Sequence, residues 1–226
     1  MPKNSSTTRA QAILAKRKAS SQASLPQWPA LTPLPPSSSL TLDTRLPSQI
    51  LTIPSLFTAS LCQTYISFLS SLPLQTTPGI PKKGEALRVN DRLVVEDWGF
   101  AERLWRETGL KSLVTEGGGT ESDWGGELVG LNPCIRICRY GKGQFFGQHY
   151  DESKSILLPT TPPTPAKTTW TLLIYLTGPA TGCVGDETVF YPEAGQARSF
   201  IRPGQKAQDV EPIAVGLEIG MALLHE

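Results

Sequence analysis

His149 and Asp151 are the residues whose types and spacing best suit chemistry. They close the stretch 135–151, which reads as a strand, a Gly-containing turn and a second strand. Because side chains two apart on a strand point to the same side, an imidazole and a carboxylate would reach one point in space. Two His and one carboxylate form a facial iron site that leaves coordination positions open. The pair therefore predicts two of the three protein ligands of an iron centre.

The histidine content of the chain limits the third ligand to a single residue. The sequence contains two histidines, His149 and His225. A site with two His ligands must therefore use His225, the penultimate residue. When His149 and Asp151 are considered without the rest of the chain, an ordinary hydrogen-bonded His–Asp pair is the competing interpretation.

Residues 1–42 differ in composition from the rest of the chain. They carry five basic residues and no acidic residue, while the whole chain has a formal net charge of +1, so residues 43–226 are mildly acidic. Ser, Thr and Pro dominate this segment, and the composition predicts a disordered basic tail with an extended, unpacked stretch over 24–39. The cluster Lys16-Arg17-Lys18 is either a nuclear-targeting patch or a solvated group of charges. The length fits one folded domain over 43–226.

Cysteine usage and hydropathy bear on location. Cys62, Cys134, Cys138 and Cys183 form no dense disulfide framework, and no signal peptide precedes them. We expect reduced thiols in an intracellular protein of the cytoplasm or nucleus. The absence of a C-x-x-C pair argues against zinc. No apolar run approaches the roughly 18 residues of a membrane span, and we expect neither a membrane nor a nucleic acid as a partner.

The first half of the expected domain predicts two helices. Gln49–Pro54 reads as a short strand, after which an apolar pattern at helical spacing begins at Thr58 and must stop at Pro73. Asp97 is placed to cap a second helix, whose buried stripe would comprise Phe100, Leu104 and Trp105. We expect both helices to pack beneath a sheet.

The second half reads as strand after strand. The expected strands are 127–139, 144–150, 168–177, 187–191, 210–215 and 221–225. The strand 168–177 is apolar on both faces, so we expect it at the centre of a sheet. Residues 158–167 contain too many prolines for a strand and are expected to form a loop or lid. Helices followed by a run of strands predict an α+β fold.

A family resemblance extends over roughly residues 46–226. The second half resembles the 2-oxoglutarate and Fe(II)-dependent dioxygenases, and within them the prolyl 4-hydroxylase-like branch. The motif Arg88-Val-Asn-Asp-Arg92 fits the same family with less specificity. The segments that carry the resemblance are Arg136-Ile-Cys-Arg-Tyr140-Gly-Lys-Gly-Gln-Phe-Phe-Gly-Gln-His149-Tyr-Asp151, Thr171-Leu-Leu-Ile-Tyr175-Leu-Thr, Gly185-Asp-Glu-Thr188-Val-Phe190-Tyr-Pro192 and Gly220-Met-Ala-Leu-Leu-His225-Glu226.

The resemblance implies a fold and an activity. The fold would be a double-stranded β-helix (jelly-roll) core with N-terminal supporting helices. His149 and Asp151 would be catalytic and, with His225, would hold Fe(II), while 2-oxoglutarate chelates the metal, O2 is consumed and ascorbate acts as a further cofactor. The residues implied to contact 2-oxoglutarate are Tyr140, Tyr175 and Thr188. The reaction would hydroxylate a protein side chain such as proline, or a small molecule, and release succinate and CO2.

The C-terminal part departs from the family pattern. Related sequences continue past the distal His to a Lys or Arg that pairs with the distal carboxylate of 2-oxoglutarate, whereas this sequence stops at Glu226. The departure predicts a truncated domain without that anchor, and Arg139 and Lys142 are expected to be surface charges instead. Related sequences also carry a Gly-x-Ala-Leu-Leu strand before the ligand, so His225 is either the ligand or part of that earlier strand. A non-catalytic binding module is therefore the alternative function.

Overall fold

The computed structural model describes residues 25–226 apart from 78, 82, 83, 85, 118, 119, 186 and 192–210. The basic cluster at 16–18 and residues 186 and 192 of the third motif thus lie outside the described residues. The helices of the described part are α1 (Ala59–Ser70), α2 (Trp98–Glu107), α3 (Leu110–Glu116) and α4 (Glu121–Trp124), with short 3₁₀ turns at Ser37–Ser39 and Pro179–Thr181.

Side-chain caps begin the first two helices, and the cap predicted at Asp97 is confirmed. Thr58 Oγ1 accepts a hydrogen bond of 3.2 Å from the Leu61 amide at the start of α1. Asp97 Oδ1 accepts one of 2.9 Å from the Phe100 amide at the start of α2. Each bond satisfies an amide that has no partner within its helix, and so each fixes the residue at which the helix begins. Helices α3 and α4 were not predicted.

The strands pair antiparallel throughout the described residues. Four form one sheet in the order β1-β2-β13-β10, and three form a second sheet in the order β3-β5-β6, with the pairs β4-β7, β8-β9 and β11-β12 beside them. The strands are β1 (Asp43–Leu46), β2 (Ile50–Ile53), β3 (Gln75–Thr76), β4 (Arg88–Val89), β5 (Asp91–Glu96), β6 (Cys134–Arg139), β7 (Phe145–Phe146), β8 (Ser155–Leu158), β9 (Thr164–Lys167), β10 (Thr171–Ile174), β11 (Thr188–Phe190), β12 (Ile213–Val215) and β13 (Ala222–His225).

The four-stranded sheet is covered on both faces. One face, which carries Ala222 and Leu224 of β13, packs against the helices in a core that includes Tyr65 and Phe100. The opposite face carries Leu223 and packs against the pair β11-β12. Because side chains alternate along a strand, His225 lies on the same face as Leu223. The expectation that the helices lie beneath a sheet is confirmed.

Strand β10 corrects the expectation of a central position. In the described sheet, β13 separates β10 from β2, so β10 pairs on one side only. Its residues are nevertheless half-buried on both faces. An apolar pattern on both faces therefore indicates that other layers cover the strand above and below. It does not indicate how many strands pair with it in the sheet.

The Pro-rich segment after Asp151 is also corrected. Residues expected to form a loop or lid instead contribute to a hairpin, because β8 pairs with β9 and Leu157 lies opposite Pro165. A two-stranded hairpin has only edge strands, in which a proline nitrogen can face away from the partner strand. The proline count therefore excluded a central strand and did not exclude this one.

The N-terminal segment packs more tightly than its composition predicted. Residues 24–39 were expected to be extended and unpacked, yet Leu31 is 5% exposed and belongs to the helix-side core. Trp28 stacks on Phe100 at 4.0 Å and donates a hydrogen bond of 2.8 Å from Nε1 to Asp97. A few apolar residues at intervals are enough to hold an extended segment against a core. From residue 25 the expectation of an unpacked segment is thus wrong.

Helices on one side of antiparallel sheets give the described chain a mixed α and β architecture. The double-stranded β-helix stays a prediction, since the described strands form separate sheets. Among the described helices, none combines the length and apolar character that a membrane crossing requires.

Candidate metal centre

His149 and Asp151 meet, although they do not lie on a strand. Strand β7 ends at Phe146, so the prediction of a strand over 144–150 is wrong beyond that residue. The Gly147 amide donates a hydrogen bond of 2.7 Å to the Leu87 carbonyl. The carbonyl oxygen of Gly147 lies 2.9 Å from His149 Nδ1. The chain beyond β7 is held by these bonds, and His149 Nε2 lies 3.6 Å from Asp151 Oδ1.

His225 reaches the same carboxylate from another part of the chain. Its Nε2 lies 3.7 Å from Asp151 Oδ2. Strand pairing places Thr171 of β10 opposite His225 of β13. Thr171 Oγ1 donates a hydrogen bond of 2.9 Å to Asp151 Oδ2. The pairing of β10 with β13 therefore positions one imidazole directly and orients the carboxylate through Thr171.

Both imidazoles are oriented by backbone oxygens. His149 Nδ1 lies 2.9 Å from the Gly147 carbonyl, and His225 Nδ1 lies 3.2 Å from the Glu226 backbone oxygen. Because an oxygen of this kind can only accept, each Nδ1 must carry the proton. The neutral form of each ring then directs the lone pair of Nε2 toward Asp151. A second partner that fixes the tautomer in this way is typical of metal-binding histidines.

The pKa values of the three groups in this site are shifted in different directions and for different reasons. The Asp151 carboxylate raises the pKa of His149 above its ordinary value. The pKa of Asp151 is in turn well below its usual range because of His149, with further contributions from Thr171 and His225. Burial lowers the pKa of His225, whose side chain is 15% exposed against 35% for His149. At neutral pH Asp151 is therefore ionised and His225 is neutral.

Aromatic rings contact both imidazoles. Phe146 stacks on His149 with ring centroids 3.7 Å apart, and Phe190 and His225 form a T-shaped contact with ring centroids 5.2 Å apart. These contacts restrict ring rotation and reduce access of water on those sides. Neither phenylalanine was singled out from the sequence, although both lie within the motifs that carry the family resemblance.

The three residues implied to contact 2-oxoglutarate are not all together. Tyr175 and Thr188 meet, with 2.6 Å between their hydroxyl oxygens, and burial raises the pKa of Tyr175. Tyr175 follows β10 and packs in the same core as Phe190. Tyr140 lies instead at the end of β6, is 43% exposed and has Arg88 and Cys138 among its neighbours. Strand alternation places Tyr175 on the same face as Thr171, since the two residues are four apart.

Two of the donor-atom distances in this set suit ligands of one metal ion. Ligand atoms about 2 Å from one ion lie roughly 3 to 4 Å from each other, and the two nitrogen–oxygen distances of 3.6 Å and 3.7 Å fall in that range. The two imidazoles face different oxygens of Asp151. Within the described ranges, no group of three or more His, Cys, Asp or Glu side chains is arranged as a complete metal site.

A cavity of about 740 Å³ lies away from this constellation. Its lining includes Arg45, Pro179, Val215 and Met221, and it includes none of the three candidate ligands. The candidate centre is instead a partly open cluster at the end of β13. The geometry and chemistry of this cluster carry the functional argument, because comparison of the chain with protein-family models, curated proteins and solved structures found no significant match.

Proposed function

We propose that the chain is an iron- and 2-oxoglutarate-dependent dioxygenase that hydroxylates an unactivated C–H bond and releases succinate and CO2. The observation that carries this proposal is the position of Asp151 between two imidazole nitrogens. His149 Nε2 faces one carboxylate oxygen and His225 Nε2 faces the other, at 3.6 Å and 3.7 Å. Two His and one carboxylate are the protein ligands of the facial iron site.

The protonation pattern supports a cation at this point. Both Nδ1 atoms must donate to backbone oxygens, so the neutral rings direct lone pairs toward an ionised Asp151. Lone pairs and a carboxylate repel one another unless a proton or a metal ion lies between them. The pKa of His149 is raised, so a proton can occupy its side. Burial lowers the pKa of His225, so its ring stays neutral and its Nε2 lone pair is available to a metal ion on the other side.

The chain's own residues have distinct parts in this proposal. His149, Asp151 and His225 would hold Fe(II), and Thr171 keeps the carboxylate oriented through its hydrogen bond of 2.9 Å. With 2-oxoglutarate and O2, the bound iron would supply the oxidant for C–H hydroxylation. Tyr175 lies on the same face as Thr171, and its hydroxyl contacts that of Thr188. This pair offers hydroxyl groups to a carboxylate of the co-substrate. Ascorbate would serve to keep the iron in the ferrous form.

The test measures metal binding and co-substrate turnover separately. Purified protein with Fe(II), ascorbate and saturating 2-oxoglutarate should form succinate, and His149→Ala and Asp151→Ala should abolish this. Co(II) should bind in a 1:1 ratio with d–d absorption that both variants lose. Arg106→Gln, on the exposed surface of α2, is the matched control. Absence of both Co(II) binding and succinate formation would refute the proposal.

One observation favours a non-catalytic binding module as the second candidate. The described residues do not present a complete group of three metal ligands. A binding module would keep the fold while Co(II) binding stayed weak and insensitive to His225→Gln. The Co(II) titration above therefore distinguishes the two candidates without requiring knowledge of the substrate.

A further inference from the structure

A group of arginines shares one face of the strands β4, β5 and β6. Arg88 of β4 and Arg92 of β5 flank Asn90, and the charges of Arg92 and Arg136 lie near enough to act on Arg88. Arg92 pairs with Cys138, and Arg136 of β6 pairs with Val94, so Arg136 belongs to this face as well. We call Arg88, Asn90, Arg92 and Arg136 the arginine face.

The arginine face has no counter-charge among the described residues. None of its three guanidinium groups forms an ion pair there, whereas Arg139 on the opposite face pairs with Asp91 at 2.7 Å. Burial lowers the pKa of Arg88, and Arg92 and Arg136 lower it further by repulsion between like charges. A carboxylate bound among these like charges would be stabilised by them.

Several donors of this face are buried without a partner. The donor atoms Arg88 Nε, Arg92 Nε and Asn90 Nδ2 are buried and make no hydrogen bond, and the acceptor Asn90 Oδ1 is likewise buried and unpaired. Asn90 is 0% exposed. Burial raises the pKa of the nearby Tyr140 hydroxyl, and the Asn90 amide acts in the opposite direction, yet the geometry of the two groups is not that of a hydrogen bond. Buried polar groups are nearly always satisfied, so these donors indicate a ligand.

The arginine face adjoins the candidate metal centre. The guanidinium carbon of Arg88 lies 3.7 Å from the Phe146 ring centroid, and the His149 ring centroid lies 3.7 Å from the same point. Two groups this close to one centroid cannot share a face of the ring, so Phe146 is sandwiched between Arg88 and His149. One aromatic ring therefore separates the cationic group from the first proposed iron ligand.

We propose that Arg88, Asn90 and Arg92 form a carboxylate-binding site for the molecule that is held at His149 and Asp151. Guanidinium groups bind carboxylates through paired N–H donors in a fixed plane, and the Asn90 amide adds a further donor. The carboxylate belongs either to the 2-oxo acid co-substrate or to an acidic group of the substrate. The position beside the metal centre rests on the proposed function, whereas the anion site rests on its own unpaired donors.

The experiment measures anion binding by calorimetry with the metal-free full chain. The probes are succinate, for the co-substrate source, and a blocked Ala-Glu-Ala peptide, for the substrate source. Succinamide and blocked Ala-Gln-Ala are their neutral counterparts. We expect one or both acids to bind and neither amide to do so. Arg92→Gln and Arg88→Gln should each weaken binding by about tenfold to a hundredfold.

Controls separate binding from folding and from the iron proposal. Arg139→Gln removes an arginine from the opposite face of the same strands and should leave affinity for the acids unchanged. Arg92→Lys keeps the charge without the planar fork, and it should bind with intermediate affinity and a wild-type circular dichroism spectrum. Failure of both acids to bind, or equal affinity in wild type, Arg88→Gln and Arg92→Gln, would overturn the site. Because no metal is present, a failed iron proposal would leave this result intact.

Discussion

Thr171 donates a hydrogen bond of 2.9 Å to Asp151 Oδ2, the carboxylate oxygen that also faces His225. Thr171 and His225 are directly opposite each other in the β10–β13 pair. Residues that are distant in sequence are therefore brought to one carboxylate by a single strand pairing. The geometry of the candidate centre depends on a hydroxyl that is not itself a proposed ligand.

Replacing Thr171 by valine should weaken metal binding while leaving the fold intact. Valine has nearly the same shape and cannot donate to Asp151, so the carboxylate loses the bond that orients it. Loss of such an orienting partner typically lowers metal affinity by about tenfold to a hundredfold. Co(II) titration followed by absorption measures the effect. Thr171→Ser keeps the donor and serves as the control, and equal affinity of the Val and Ser variants would contradict the orienting role.

The two histidines should affect stability with opposite dependence on pH in the metal-free protein. The folded-state pKa of His149 is raised, so its stabilising contribution is fully present below its unfolded pKa of about 6.5 and is lost as pH rises through the folded value. Burial lowers the pKa of His225, so its contribution is present above about 6.5 and is lost as pH falls.

Urea denaturation at pH 5.5 and pH 8.5 measures this contrast through the free energy of unfolding. His149→Gln should reduce stability more at the lower pH than at the higher one. His225→Gln should reduce stability more at pH 8.5 than at pH 5.5. Relative to wild type, this variant should therefore be most stable at the lower pH. A shift in the same direction for both variants would show that the two imidazoles do not have these different environments.

Gly220 permits β13 to begin beside α1, and alanine should not be tolerated there. Its φ is +80°, and an added Cβ would lie 2.0 Å from the Phe57 carbonyl oxygen. The substitution should lower the free energy of unfolding by at least about 3 kcal/mol through backbone strain and steric overlap. Gly216→Ala is the matched control, because its Cβ would have no neighbour within 4 Å. Thermal or urea unfolding of the two variants makes the comparison.

Local signals explain what the sequence predicted correctly. The Asp97 cap, the apolar stripe of α2 and the short strand ending at Ile53 depend on neighbouring residues, and all three are present. The family motifs also contained every residue of the candidate centre. His149 and His225 each lie near Asp151, at 3.6 Å and 3.7 Å, and the metal site stays a prediction.

Non-local pairing explains what the sequence predicted wrongly. The edge position of β10 depends on which strands lie beside it, and its own residues carry no record of that. His149 and Asp151 converge because Gly147 bonds to Leu87, in a segment distant in sequence, and not because a strand continues. The prolines near Pro165 were judged by a rule for central strands, whereas the hairpin has only edges. In each case the local preference of the residues was predicted correctly, but the segment that pairs with them was not.

Trp28 should contribute substantially to stability despite its Pro-rich surroundings. Its ring stacks on Phe100 with centroids 4.0 Å apart. Its Nε1 donates a hydrogen bond of 2.8 Å to Asp97, the residue that caps α2. Trp28→Ala should cost about 3–5 kcal/mol because it removes a large packed ring and a bond to a carboxylate. Trp28→Phe keeps much of the ring contact and should cost about 1.5–3 kcal/mol for the lost bond.

Urea unfolding of the full chain measures both Trp28 variants against Leu25→Ala, a control in the same segment whose side chain is 56% exposed. The control should change stability by less than about 0.5 kcal/mol. If Trp28→Ala matched the control, the N-terminal segment would not be part of the folded core. The intermediate value expected for Trp28→Phe separates the packing contribution from the hydrogen bond to Asp97, because only the second is lost completely in that variant.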